Sequence, residues 1–140
     1  MPETMGGCAC GAVRYHFSGD PLMMGQCQCR ACQRDSGAGH ACHVAVSATG
    51  FELTGPIKYW DSKADSGNVV SRGFCTECGS PVASKNAGMP QMVFVRAASL
   101  DDPTLFKPQV VVWASTRQPW DHVNPGLPTF ATMPPGMPGG

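Results

Sequence analysis

Seven of the eight cysteines stand in three short clusters, a pattern that suits metal binding. The clusters are Cys8-Ala9-Cys10, Cys27-Gln28-Cys29-Arg30-Ala31-Cys32 and Cys75-Thr76-Glu77-Cys78. Thiols one or two residues apart rarely satisfy the Cα separation and torsion of a relaxed disulfide. The same spacing is typical of zinc sites, whose sulfur ligands come in pairs from tight turns. The clusters therefore predict metal sites, and the alternative left open is the disulfide scaffold of a secreted protein.

The first and third clusters together supply four thiols, which is the number that a closed tetrahedral zinc site needs. We predict a structural zinc held by Cys8, Cys10, Cys75 and Cys78. A glycine follows each pair, at Gly11 and Gly79, and can adopt the positive φ that lets backbone N–H groups face sulfur. Such an ion would join the start of the chain to its middle and would stabilise a small domain directly.

The middle cluster supplies only three thiols. We predict that Cys27, Cys29 and Cys32 hold a second, reactive zinc with one open position. A soft metal site favours another thiol there, and metal binding deprotonates that thiol. A sulfur nucleophile held beside an electrophile can form or break a carbon–sulfur bond. Arg30 within the cluster and Arg34 just after it are candidates to bind the carboxylates of a thiol substrate.

Other interpretations of the middle cluster stay open from the sequence alone. His40 or His43 follows at a plausible distance and could close the site as a fourth ligand. A closed site would suit a non-catalytic, zinc-stabilised binding module. A zinc–thiolate redox sensor is a further alternative, which requires exposed thiols of low pKa. His16 and His122 are interpreted as structural, and the isolated Cys42 as a small hydrophobe.

The segments between the clusters have the pattern of short strands. Seventeen glycines and thirteen prolines among 140 residues disfavour long helices. Alternating or apolar runs predict strands at 13–17, 38–46, 51–55, 57–60, 69–74, 91–97 and 109–113. In the second of these, Cys42, Val44 and Val46 share one face, whereas the polar segment 61–68 is predicted as a loop. The predicted fold class is mainly β.

The length of 140 residues predicts a single domain, which we assign to residues 1–130. Residues 131–140 are rich in Pro, Gly and Met and are predicted to be a mobile or surface-bound tail. Aromatic side chains are not interleaved with basic ones, so they are expected to build the core rather than to stack on nucleic-acid bases. The aromatic residues expected in the core are Trp60, Trp113, Trp120, Phe74, Phe94 and Phe106.

The balance of charged side chains limits the kinds of partner that the protein is expected to bind. Ten basic and ten acidic side chains give no net charge, and thiolate-bound zinc would make the loaded protein acidic, so we expect no nucleic-acid partner. No apolar run approaches the length of a membrane span. Residues 1–7 lack the basic and apolar regions of a signal peptide, which predicts a cytoplasmic protein without a membrane partner. We expect a small-molecule thiol as substrate and a monomer or homodimer.

Three strings of residues carry a resemblance to a known family. They are Gly7-Cys8-x-Cys10-Gly11-Ala12-Val13-Arg14-Tyr15, Cys27-x-Cys29-x-x-Cys32-x-Arg34-x-Ser36-Gly37-Ala38 and Gly73-Phe74-Cys75-x-x-Cys78-Gly79-Ser80-Pro81. In this combination the chain resembles the glutathione-dependent formaldehyde-activating enzymes, also called the centromere protein V family. The resemblance extends over roughly residues 5–130.

The resemblance implies a zinc-stabilised β fold of the Mss4-like type with two zinc ions per chain. By motif, the structural zinc falls on the first and third clusters and the reactive zinc on the middle one. The resemblance also implies a carbon–sulfur lyase or synthase that acts on adducts of glutathione or a similar thiol, as in the formation of S-hydroxymethylglutathione. The chain departs from the family pattern at Gln28 and Val111, where relatives often carry histidine.

Overall fold

The computed structural model describes residues 3–134, which form ten strands and one short α-helix. In chain order these elements are β1 (Glu3–Gly7), β2 (Arg14–Ser18), β3 (Met23–Cys27), α1 (Arg30–Ser36), β4 (Ala41–Ser47), β5 (Phe51–Thr54), β6 (Ile57–Lys63), β7 (Val69–Cys75), β8 (Pro81–Asn86), β9 (Met92–Arg96) and β10 (Val110–Val112). Single turns of 3-10 helix occur at Ala97–Ser99, Pro103–Leu105 and Ala114–Thr116.

The strands form two sheets. The smaller sheet has the order β1-β2-β5, and the larger one has the order β10-β3-β4-β9-β8-β7-β6. Neighbouring strands are antiparallel except for β10 and β3, which run parallel. The prediction of a mainly β single domain is confirmed, and the arrangement is consistent with the Mss4-like fold that the resemblance implies.

The core is built where side chains of the two sheets pack together. Tyr15 and Phe17 of β2 are both 2% exposed and contribute the largest apolar groups. Val44 and Val46 of β4 face them from the larger sheet, and Cys42 packs against the same cluster. The predicted face of β4 is therefore confirmed, including the apolar packing of Cys42. Alternation along the strand follows from the period of two that a pleated backbone imposes.

The other face of the larger sheet is free to build a site. His43 and Ala45 alternate with the core residues of β4, and Met92 and Phe94 do the same on β9. These residues line a cavity instead of the core. One face of this sheet thus builds the core, and the other lines a cavity.

The structure corrects several predictions. The segment 61–68 is not wholly a loop, because β6 extends to Lys63 and pairs with Val69 at the start of β7. Trp60 and Trp120 do not join the core, since each is 62% exposed. Trp60 lies on the exposed face of β6, whereas Ile57 and Tyr59 on the opposite face of that strand are partly buried. Phe106, by contrast, packs against the core as predicted.

Residues 131–134 follow the segment after β10. The backbone N–H of Trp113 donates to the carbonyl of Thr132 at 3.2 Å, and that of Ser115 donates to Ala131 at 3.1 Å. Of the predicted tail at 131–140, residues 135–140 lie outside the described part of the chain. Within residues 3–134 the α-helix has seven residues, so this part contains no helix that could span a bilayer.

Candidate metal centres

Four cysteine sulfurs converge between the two sheets. Cys8 and Cys10 lie in the turn between β1 and β2, whereas Cys75 ends β7 and Cys78 lies in the following turn. All four sulfurs lie within 4.8 Å of one another, and Cys10 Sγ is 3.8 Å from Cys75 Sγ. No disulfide forms among the eight cysteines, all of which lie in residues 3–134. Four thiols gathered at this spacing fit a tetrahedral zinc ion.

The backbone around these sulfurs has the geometry that metal-bound thiolates use. The N–H of Val13 donates to Cys8 Sγ at 3.2 Å, and the N–H of Glu77 donates to Cys75 Sγ at 3.3 Å. These donors partly neutralise the negative charge on sulfur and orient each ligand. The glycine that follows each pair adopts positive φ as predicted, 81° at Gly11 and 76° at Gly79.

The three middle cysteines also converge, with their sulfurs within 4.8 Å of one another. Cys27 ends β3, where pairing with Ala41 and Val112 fixes its position. Cys29 precedes α1, and its sulfur accepts the backbone N–H of Cys32 at 3.3 Å. The Cys29 thiol thus takes the N-cap role that Ser or Asp usually fills. Cys32 is buried, and the other two are half-buried.

The contact between these thiols makes one of them easy to ionise. Hydrogen bonds from Cys27 and Cys32 lower the pKa of Cys29 to about 2. Hydrogen bonding with Cys29 and Cys32, together with burial, raises the pKa of Cys27. The nearby Arg72 guanidinium contributes to the lowered pKa of Cys29. Of the three thiols, Cys29 is therefore the one that loses its proton most readily, and a soft cation would replace the protons of the others.

His43 lies against the sulfur of Cys32 and is held there by a hydrogen bond to its other ring nitrogen. Arg96 donates to His43 Nδ1 at 3.1 Å, and its guanidinium also pairs with Asp35 at 2.8 Å. Because arginine only donates, Nδ1 must accept, and the ring proton lies on Nε2. His43 Nε2 is 3.5 Å from Cys32 Sγ, so its N–H faces the sulfur. Burial, followed by the charges of Arg96 and Arg72, lowers the pKa of His43 to about 3, which keeps it neutral.

His40 has a different role in the structure. Its Nδ1 is 2.9 Å from the carboxylate of Asp121, which also accepts a hydrogen bond from Gln28 Nε2 at 3.0 Å. Among residues 3–134, the groups able to gather around the middle centre contain only its three cysteines, so neither His40 nor His43 belongs to that ligand set. His40 instead binds the Asp121 carboxylate and so connects the loop around Asp121 to the start of β4.

The two departures from the family pattern occupy structural positions. Gln28 is 1% exposed, and its side-chain Nε2 donates to Asp121. Its backbone carbonyl accepts hydrogen bonds from Gln33 and Thr116. Val111 is fully buried in β10 and pairs with Gln26 of β3. Both residues therefore hold the chain around the middle centre through packing and hydrogen bonds.

Two cavities adjoin the middle cluster. The larger one has a volume of about 440 Å³, and the smaller one about 220 Å³. The walls of both cavities include Cys29, Val70, Arg72 and Trp113. Trp113 adopts the left-handed conformation with φ of 60°, and its buried Nε1–H finds no hydrogen-bond acceptor in the described chain. The left-handed backbone and the unpartnered donor make Trp113 a candidate functional residue in the wall that both cavities share.

The predicted arginines are not equivalent. Arg30 lines the smaller cavity, where it also donates to Gln33 Oε1 at 2.5 Å. Arg34 lies in the last turn of α1, exposed, and lines neither of these two cavities. Sequence analysis missed Arg72, which lies between the cavities. Its signal was a charged residue inside the apolar run of β7, three positions before Cys75.

Fold and site together define a single-domain, mainly β protein with two cysteine groups that could hold metal ions. A sequence model of the family described as glutathione-dependent formaldehyde-activating enzyme matches residues 3–116. The chain belongs to this family, so the recognition made from its motifs is confirmed. Among solved structures, the chain is similar to the crystal structure of a Rhodobacter sphaeroides protein, with a TM-score of 0.57 and 18% identity. That alignment covers 90% of this chain and 98% of the other. A search of curated proteins found no match.

The contact between His40 and Asp121 predicts a pH-dependent stability. The Cys42 thiol and then the Asp121 carboxylate raise the pKa of His40 to about 9, above its ordinary value of 6.5. Stability from protonated His40 is thus fully present below pH 6.5 and lost as the pH rises through about 9. We expect a loss on the order of 2 kcal/mol between pH 7 and 10, measured by chemical denaturation. His40→Gln should remove this component, and an identical pH profile in that variant would contradict the assignment.

Proposed function

We propose that this protein is a zinc-dependent carbon–sulfur lyase or synthase that acts on adducts of a small thiol such as glutathione. The observation that carries the proposal is the convergence of Cys27, Cys29 and Cys32 beside two cavities, without a fourth ligand among residues 3–134. Membership of the family supports a glutathione-related substrate. The donor set fits zinc, because three thiolates with one free position are typical of reactive zinc sites.

A zinc ion bound by these three cysteines would hold the substrate sulfur as a thiolate in its fourth position. The protein contributes the shape and charge of the site. His43 donates its Nε2–H toward Cys32, which keeps that sulfur oriented and limits its charge. The cap formed by Cys29 ties a second sulfur to the start of α1.

Charged side chains beside the cluster can orient the rest of the substrate. Arg72, Arg30 and Lys63 line the smaller cavity with one acidic residue, Asp65, so its charged lining is cationic on balance. Guanidinium groups bind carboxylates through paired hydrogen bonds, so this cavity suits the carboxylate end of a thiol such as glutathione.

The proposed reaction is balanced without an external oxidant or reductant. In the synthase direction, the thiolate sulfur adds to the carbonyl carbon of an aldehyde, and the oxygen takes up one proton. In the lyase direction, the hydroxyl group loses that proton, the carbonyl double bond re-forms, and the carbon–sulfur electron pair leaves with sulfur. A donor at the oxygen favours both directions, because charge develops there in the transition state.

Metal analysis of cysteine variants tests the two centres separately. We expect two zinc ions in the native protein and one in Cys29→Ser, which should also lose thiol binding and activity because a ligand of the reactive ion is missing. Cys75→Ser should likewise lose one ion and should unfold far more easily, since that ion joins the two sheets. Cys42→Ser, which alters a thiol outside both groups, is the matched control and should keep both ions. Full activity in Cys29→Ser would refute the proposed role of the middle cluster.

Steady-state kinetics test the position of the substrate carboxylate. Arg72→Met should raise the KM for glutathione about tenfold or more, because a hydrogen bond to a charged group is lost. Arg34→Met removes the same charge from an exposed position outside both cavities and should change KM by less than about twofold. An equal effect of the two substitutions would show that bulk charge, rather than contact with Arg72, governs binding.

A further inference from the structure

The larger cavity is lined mainly by apolar side chains, with His43, Arg72 and Lys85 among its polar residues. Formaldehyde and the charged groups of glutathione do not require so large an apolar wall. This cavity lies on the face of the larger sheet that does not build the core, and its lining residues include side chains of β10, β3, β4, β9 and β7. Apolar residues of its wall include Leu22, Met23, Ala45, Val70, Met89, Met92, Phe94, Val110, Val112 and Met133. Covering such a surface with an apolar group instead of water lowers the free energy of the system.

The volume of this cavity exceeds what a one-carbon electrophile needs. An apolar protein cavity of about 150 Å³ suffices to hold benzene. At about 440 Å³, the present cavity is of the size that encloses whole organic ligands. Formaldehyde bound next to the three sulfurs would leave most of this space to water on apolar walls.

Four methionines in the wall bear on specificity. Met23, Met89, Met92 and Met133 come from three separate parts of the chain and line the same cavity. Methionine is unbranched and polarizable, so a wall rich in it adapts to apolar groups of different shape. The wall therefore favours a class of apolar substituents rather than a single molecule.

The reacting sulfurs lie where the apolar and the charged cavity meet. Cys27 and Cys32 line only the larger cavity, whereas Cys29 belongs to both. Arg72 and Trp113 stand in the same shared wall. Arg30 and Lys63 lie on the smaller side alone. A molecule that spans this boundary would have an apolar part and a carboxylate part on opposite sides of its sulfur.

We propose that the substrate is a thiol adduct whose carbon side carries a sizeable apolar group. This inference rests on the proposed function and adds the substrate class. The apolar group occupies the larger cavity, the sulfur lies at Cys29, and the carboxylates of the thiol lie toward Arg30 and Arg72. An adduct of an apolar aldehyde with glutathione has this form. Its cleavage breaks the carbon–sulfur bond, releases the aldehyde and the thiol, and moves the hydroxyl proton to the departing sulfur or to water.

Stable thioethers provide the test, because they carry the apolar group without reacting. We expect the affinities of S-methyl-, S-butyl- and S-hexylglutathione, measured by titration calorimetry on the zinc-loaded protein, to rise with chain length. The rise should be about threefold to fourfold for each buried methylene. Ala45→Phe fills the cavity and should abolish this dependence, whereas Leu105→Phe adds a ring at an exposed position outside both cavities. If Ala45→Phe fails to fold, Val112→Phe on β10 replaces it.

A parallel measurement separates failure of this inference from failure of the proposed function. Glutathione is titrated into cobalt-substituted protein, and the thiolate-to-cobalt absorption is recorded. A spectral change with glutathione, together with affinities that ignore chain length, would overturn the apolar-substrate inference and leave the proposed function standing. An unchanged spectrum would overturn the proposed function itself, whatever the thioethers do. A spectral change together with chain-length dependence that is lost in Ala45→Phe supports both.

Discussion

The convergence of four cysteine sulfurs between two turns is the constraint on which the rest of this structure depends. One pair belongs to the turn that joins the strands of the smaller sheet, and the other to a hairpin of the larger sheet. Bringing four thiols within 4.8 Å of one another fixes how these turns meet. A small domain has a limited core, so a metal at this point would add stability that apolar packing alone supplies sparingly.

The two faces of the larger sheet differ, because one builds the core and the other lines the larger cavity. On β4 and β9, valines point into the core. The residues that alternate with them, among them His43, Ala45 and Phe94, line the cavity on the other face. The middle cysteines lie at the end of this second face, where β3 stops and α1 begins. The network from Asp35 through Arg96 to His43 supports Cys32, and Asp121 with His40 and Gln28 anchors the neighbouring loop. The residues that position the middle cysteines and set the charge around them thus belong to distant parts of the chain.

The sequence predicted what is encoded locally and missed what depends on sheet pairing. The cysteine groups and most strands could be predicted, because ligand spacing and alternation are properties of adjacent residues. Helix α1 could not, since its cap is a thiol rather than Ser or Asp. Arg72 and Trp113 meet Cys29 only through the order of strands in the larger sheet. Trp60 was assigned to the core because no basic residues are interleaved with the aromatic ones, but it lies on the exposed face of β6.

The central claim is that one centre is completed by protein sulfur and the other leaves a position for an external thiol. X-ray absorption at the zinc edge tests it most directly on the intact, metal-loaded protein. We expect sulfur neighbours at about 2.3 Å, four at one ion and three at the other, and a gain in average sulfur coordination when glutathione is added. A histidine nitrogen in the coordination shell, or sulfur coordination unchanged by glutathione, would contradict the account.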